Sequence, residues 1–190
     1  MAELKHFHLF EFTDQAWYPQ AFRRMQTDYL QFVVTRGAGH QNLIPLFKKA
    51  LAHADTKQIV DLCSGGSGPW LRLHAQLREA GLPVTVTLTD KFPTPEVLRK
   101  WPAACRVGVE YLEQPVEATK VPPQLKGMRT LFEGFHHFQP DEAHRILQDA
   151  LDNRAPIGIF EASLPPRTGW LIILFSPLMT WLGYLFATPF

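Results

Sequence analysis

Residues 58–70 read QIVDLCSGGSGPW, and the organisation of the whole chain follows from them. β-Branched Ile59 and Val60 open an apolar run that ends in an acid, Asp61. A glycine turn comes next, with Gly65, Gly66 and Gly68, and then a helix-like segment, WLRLHAQLREAG, at residues 70–81. A strand that enters a helix through such a turn exposes bare backbone to a ligand, because glycine has no side chain and tolerates positive φ. The next apolar run, residues 84–88, leads to a second acid, Asp90. In nucleotide-binding βαβ units an acid at that point accepts hydrogen bonds from ribose hydroxyls. Together the turn and the two acids imply a nucleoside-bearing ligand.

Outward from this stretch the pattern alternates. Strand 58–63 leads to helix 69–80, strand 84–89 to a short helix near 95–101, and strand 106–111 to a proline-rich connection. Strand 129–133 then precedes helix 140–152, and strand 156–162 precedes an apolar tail. Gly81 is placed to end its helix, and Pro140, Asp141 and Glu142 suit a helix start. Upstream, residues 42–54 predict an amphipathic helix with Leu43, Leu46, Phe47, Ala50 and Leu51 on one face. Residues 14–36 predict another, with Trp17, Phe22, Met25, Tyr29 and Phe32 as its stripe. Such alternation gives an α/β fold, a doubly wound and mostly parallel Rossmann-like sheet of about five strands. Asp61, the glycine turn, Asp90, Glu117 and Glu133 then meet at the carboxyl ends of the strands. The chain reads as one domain, with an N-terminal helical lid (1–56), a cofactor-binding core (57–163) and an apolar segment (164–190).

Composition narrows the partners. A chain of 190 residues with 46% hydrophobic and 19% charged residues is globular. Net charge is +1 and no Lys/Arg-rich run occurs, so nucleic acid is not an expected partner. Cys63 and Cys105 form no CxxC pair and read as reduced thiols of a cytoplasmic protein, and the N-terminal residues lack a signal-peptide core. Residues 168–190 carry no charge, and crossing a bilayer takes about 20 apolar residues. Pro177 interrupts that stretch and Arg167 is its one basic flank. Two readings stand: short apolar helices buried in the fold or against another subunit, or membrane contact through 169–190.

Three nucleotide and nucleophile motifs fail at identifiable positions. A dinucleotide fingerprint beginning at Gly66 would place glycine at Leu71, and a nucleophile elbow around Ser67 would place it at Pro69. A phosphate loop needs Lys followed by Ser or Thr, and neither is present. The remaining pattern, an acid at a strand end followed by CSGGSG, resembles motif I of the class I S-adenosylmethionine-dependent methyltransferases. The resemblance runs from about residue 58 to 162. Asp90 matches the acid that holds the ribose, with Lys91 and Phe92 near the adenine. PVEA at 115–118 (Val116, Glu117, Ala118) resembles the segment that meets the adenine, and LFEGFHHF at 131–138 resembles the region after the fourth strand.

That resemblance implies S-adenosylmethionine as cofactor, a small-molecule methyl acceptor, and backbone contacts at Gly65, Gly66 and Gly68. Asp61 would orient the loop or meet the cofactor ammonium. The family often has glycine where this chain has Cys63 and Ser67. Its sheet usually has seven strands ending in an antiparallel hairpin, which has no counterpart in this pattern. An uncovered edge favours a homodimer or larger assembly. His136, His137 and Glu133 are candidate bases, and Trp17, Tyr18, Arg24 and Tyr29 are candidate lid residues over the acceptor.

Plainer roles stay open for each. Asp61 and Asp90 also suit helix N-termini, the histidines also suit packing or capping, and the lid aromatics also suit a core. His144 with His137 lacks a third ligand at a supporting spacing, so no metal is expected. A non-catalytic cofactor-binding protein and a membrane-associated protein on the same fold are the alternatives to an enzyme.

Overall fold

β-Branched Ile59 and Val60 suit a pleated strand, and β1 (Gln58–Leu62) is buried at every position after its first. A strand covered on both faces belongs in the interior of a parallel sheet. β1 accordingly lies between β2 (Thr85–Leu88) and β4 (Met128–Phe132), with β3 (Val109–Tyr111) beyond β2 and β5 (Ile157–Phe160) beyond β4. Every pairing is parallel, and the order is β3-β2-β1-β4-β5. This is the five-stranded α/β sheet expected, and its winding reverses between β1 and β4, the crevice where such sheets bind ligands. The computed structural model describes residues 17–20, 22 and 43–161. Most of the expected helix 14–36 and the whole of segment 164–190 lie outside the described residues. Among the described residues no helix is long and apolar enough to cross a membrane.

Helices cover the sheet unequally. On one face, Phe47 and Leu51 of α1 (Ile44–Ala54) and Trp70, Leu73 and Leu77 of α2 (Trp70–Glu79) pack with Ile59, Val86, Leu88 and Val109. Leu73 and Leu77 are fully buried, a contribution of about 1.5–3 kcal/mol each. α2 stops at a glycine as expected: Gly81 has φ +75°, its N–H donates to the Arg78 carbonyl at 3.1 Å, and the Leu82 N–H donates to the Leu77 carbonyl at 2.9 Å. Later in the chain, α3 (Ala103–Arg106) is a single turn and α4 (Pro140–Asp152) is the longest helix described. α4 starts at Pro140, and the Glu142 carboxylate accepts the Gln139 N–H at 3.2 Å. Its Ile146 packs with Val60, Leu62 and Leu131 on the second face. There Arg129, 1% exposed, pairs with Asp149 of α4 at 2.7 Å.

Three local expectations change. Arg106 closes α3 instead of opening a strand, because Gly108 turns the chain at φ +84° and β3 begins only at Val109. Residues Pro95–Lys100 form a 3-10 helix. Leu46 is 56% exposed, since the buried stripe of α1 runs through Phe47 and Leu51. The connection 112–127 contains no helix, and Pro115, Pro122 and Pro123 withhold three donors from one. The second face over β2 and β3 is therefore polar, and Thr87 Oγ1 donates to Glu110 Oε1 at 2.7 Å across it.

Gly127 marks the tightest approach of that connection. Its φ is +129°, and a Cβ there would lie 2.7 Å from the Gln58 carbonyl carbon at the start of β1. Gly127→Ala is expected to lower the unfolding free energy by about 2–3 kcal/mol. Urea denaturation followed by circular dichroism measures it, and an unchanged midpoint would mean that the connection can move away from β1.

Candidate functional site

Asp61 is a fully buried acid at the carboxyl ends of the strands, at 1% exposure. Register brings its partners to it. Asp61 pairs with Thr130 across β1 and β4, so hydroxyl and carboxylate share a face, and Thr130 Oγ1 donates to Asp61 Oδ1 at 2.6 Å. Ser64 Oγ donates to Oδ2 at 2.6 Å and accepts the Thr89 N–H at 3.1 Å. The Ser64 N–H completes the tie by donating to the Thr89 carbonyl at 2.9 Å. Burial pushes the Asp61 carboxyl up to about 6, against the pull of the Ser64 and Thr130 hydroxyls. The indole N–H of Trp70 adds a weaker pull in the same direction without reaching hydrogen-bond geometry.

Asp90 works on the turn from outside. Its Oδ2 accepts the Gly65 N–H at 2.8 Å and its Oδ1 accepts the Phe92 N–H at 2.8 Å. The Gly65 carbonyl is held from the other direction, by Thr94 Oγ1 at 2.6 Å and Tyr111 Oη at 2.9 Å. Burial, and then the Asp90 charge, push the Tyr111 phenol above its usual range, so it stays a hydroxyl donor throughout the physiological range. Thr94 and Tyr111 were not legible as site residues. The one available signal was a tyrosine at the last position of a strand, where side chains reach the ligand edge.

Backbone strain gathers at the same place. Cys63 has φ +56°, Ser67 +81° and Glu133 +50°, each just past β1 or β4. Only glycine adopts such angles freely, and other residues lose about 1–2 kcal/mol there. Cys63 and Ser67 stand where the motif they resemble often has glycine, and both keep a glycine-like backbone. Ser67 Oγ is buried without a hydrogen-bond partner.

The remaining candidates fall into two groups. After β3, the Val116 N–H donates to the Asp90 carbonyl at 2.9 Å, Val116 and Ala118 are buried, and exposed Glu117 pairs with Lys91 at 3.1 Å. After β4, Glu133 is exposed, and His136 and His137 stand in a 3-10 turn with ring centroids 4.4 Å apart. A Cβ on Gly134 would lie 3.4 Å from Cys63 Cβ, so this turn adjoins the glycine turn. Trp17 is 64% exposed and its ring meets Tyr18 edge-on at 6.3 Å, while Arg24 and Tyr29 lie outside the described residues. Among the described residues no three His, Cys, Asp or Glu side chains converge as metal ligands. A groove of about 510 Å³ opens elsewhere, on the polar face lined by Thr85, Thr87 and Glu110, and no residue of the glycine turn lines it.

No protein-family model matches the chain, and no curated protein matches it. Among solved structures it is similar to a crystal structure described as the methyltransferase domain of bacterial-CtHen1-CN, with a TM-score of 0.44 and 13% identity. The match covers 65% of this chain and 66% of that one, just under two thirds of its length. The functional reading rests instead on the chain's own geometry: a five-stranded doubly wound sheet with a clamped glycine turn and two acids at its carboxyl edge.

Asp61 makes that edge sensitive to pH. Its folded value lies above the 3.8 of an open aspartate, so the folded state holds the proton more tightly. Stability contributed by this group is full below pH 4 and falls as pH rises through about 6. Ionising the buried group costs about 3 kcal/mol more than ionising it in water. Asp61→Asn should therefore gain about that much relative to the native chain between pH 4 and pH 7, read by urea denaturation at each pH. A constant difference between the two proteins would place the titration elsewhere.

Proposed function

We propose that this chain binds S-adenosylmethionine at the carboxyl edge of its sheet and transfers the methyl group to a small-molecule acceptor. The observation that carries this reading is the electrostatic character of the glycine turn. Asp61 and Asp90 stand close enough that the charge of Asp90 helps to raise Asp61, and CSGGSG contains no Lys or Arg. Lys91, the residue after Asp90, is paired with Glu117. A pyrophosphate or triphosphate would meet two acids in this setting, whereas a ligand with sulfonium and ammonium charges is matched by them.

The donor set fits such a ligand. Asp90 would hold the ribose hydroxyls, with the Gly65 and Phe92 N–H groups fixing the orientation of its carboxylate. Gly68 would offer its backbone, because the nearest atom to a Cβ there is Phe132 Cβ at 3.9 Å. The adenine would lie against the segment around Val116, whose N–H is tied to the Asp90 carbonyl, with Lys91 and Phe92 following Asp90 in the chain; Ala118 packs beneath with Val60, Leu62 and Ile146. Asp61 acts from below, where its carboxylate is committed to Ser64 and Thr130 and sets the shape of the loop.

When bound, the cofactor supplies a methyl group already activated on sulfur. The protein's contribution is alignment of donor and acceptor and exclusion of water. The stiff Gly65 peptide, tied by Asp90, Thr94 and Tyr111, provides that alignment.

Calorimetry with S-adenosylmethionine, S-adenosylhomocysteine and NAD tests the reading. Binding is expected for the first two and not for NAD, and NAD binding alone would refute the cofactor assignment. Asp90→Ala should weaken S-adenosylhomocysteine by about 1–3 kcal/mol, the value of hydrogen bonds to a charged acceptor. Undiminished affinity would put Asp90 outside the ligand.

A further inference from the structure

Glu161, immediately after β5, belongs to none of the motifs around the glycine turn, yet it grips the turn after β4 at two points. Its Oε1 accepts the Phe135 N–H at 2.7 Å, and its Oε2 lies 2.6 Å from His136 Nδ1. The first contact fixes the carboxylate plane, so the second oxygen is aimed at the ring. An ionised carboxylate only accepts, which places a proton on Nδ1 and leaves the basic lone pair of a neutral ring on Nε2. The pair is 52% and 30% exposed, too open to matter much for stability. Its position is more telling. Through Gly134 this turn packs beside Cys63 and the glycine turn, at the same carboxyl edge.

We propose that Glu161 and His136 form a carboxylate–imidazole dyad serving that edge, with His136 Nε2 as the base and Glu161 as its positioning residue. The inference rests on the methyl-transfer reading for the identity of the group deprotonated. It narrows the acceptor to a hydroxyl or amine, a nucleophile with a proton to lose. The acceptor's O–H or N–H bond breaks and its proton passes to Nε2. The acceptor's electron pair forms the bond to the methyl carbon, and the carbon–sulfur pair returns to sulfur. The ionisable groups that face His136 include Glu161 and the ring of His137.

The test needs no acceptor. Long-range nitrogen-15 correlation spectra of the full chain, with His136 assigned through His136→Asn, report which ring nitrogen carries the proton. The Nδ1–H form is expected for the neutral ring in the native protein. Glu161→Gln should return the ring to the Nε2–H form that free imidazole favours, and should slow carbethoxylation of His136 by diethyl pyrocarbonate severalfold. Glu161→Asp, a milder change, should restore part of both effects. An Nε2–H ring in the native protein would overturn the dyad, as would spectra indifferent to Glu161→Gln. S-Adenosylhomocysteine binding by His136→Asn should equal that of the native chain. If the native chain does not bind it, the methyl-transfer reading fails while the tautomer result stands by itself.

Discussion

Asp61 sits inside the central strand's face with no access to water, and two hydroxyl donors make that burial tolerable. Ser64 comes from the turn and Thr130 from the neighbouring strand, so the carboxylate joins the glycine turn to the sheet. A buried carboxylate with either donor removed would carry an unmet acceptor, which costs more than the hydrogen bond itself returns. The turn therefore has one low-energy shape. Gly65 is drawn outward by Asp90, Thr94 and Tyr111 only because its base is already held by Asp61 and Thr89.

This constraint explains why strain is tolerated at Cys63 and Ser67. Left-handed backbone at non-glycine residues persists where the surroundings over-determine it. Here a network of short hydrogen bonds supplies that determination, and the aromatic rings of Phe47, Trp70, Phe132 and Phe160 fill the space beneath. Phe132 and Phe160 stack at 4.6 Å, Phe47 stacks on Phe160 at 5.4 Å, and Trp70 meets Phe132 edge-on at 5.7 Å. α1, α2, β4 and β5 each place one ring or more under the turn.

Local signals in the sequence were the legible ones. The apolar run before Asp61, the glycine that ends α2 and the proline that starts α4 all act within a few residues, and each lies where its chemistry indicates. The resemblance to a methyltransferase motif likewise drew on residues near strand ends. What escaped the sequence were partners recruited across the fold. Thr130 reaches Asp61 across 69 residues, Tyr111 reaches Gly65 across 46, and Glu161 reaches His136 across 25. A threonine or glutamate in isolation carries no mark of such a partner. The late start of β3 is a different failure: Val107 and Val109 alternate like strand residues, but Gly108 between them takes a backbone that breaks the pleat.

The parallel order also dictates when the site exists. β1 is flanked by β2, which begins at residue 85, and by β4, which begins at residue 128. Contacts that span so much chain form late, after the entropy of closing a long loop has been overcome. On a ribosome, Asp61 emerges well before Thr130, and for that interval the acid keeps its water. The glycine turn can take its final shape only after more than sixty further residues have followed it, which makes this carboxyl edge one of the last regions of the described chain to become itself.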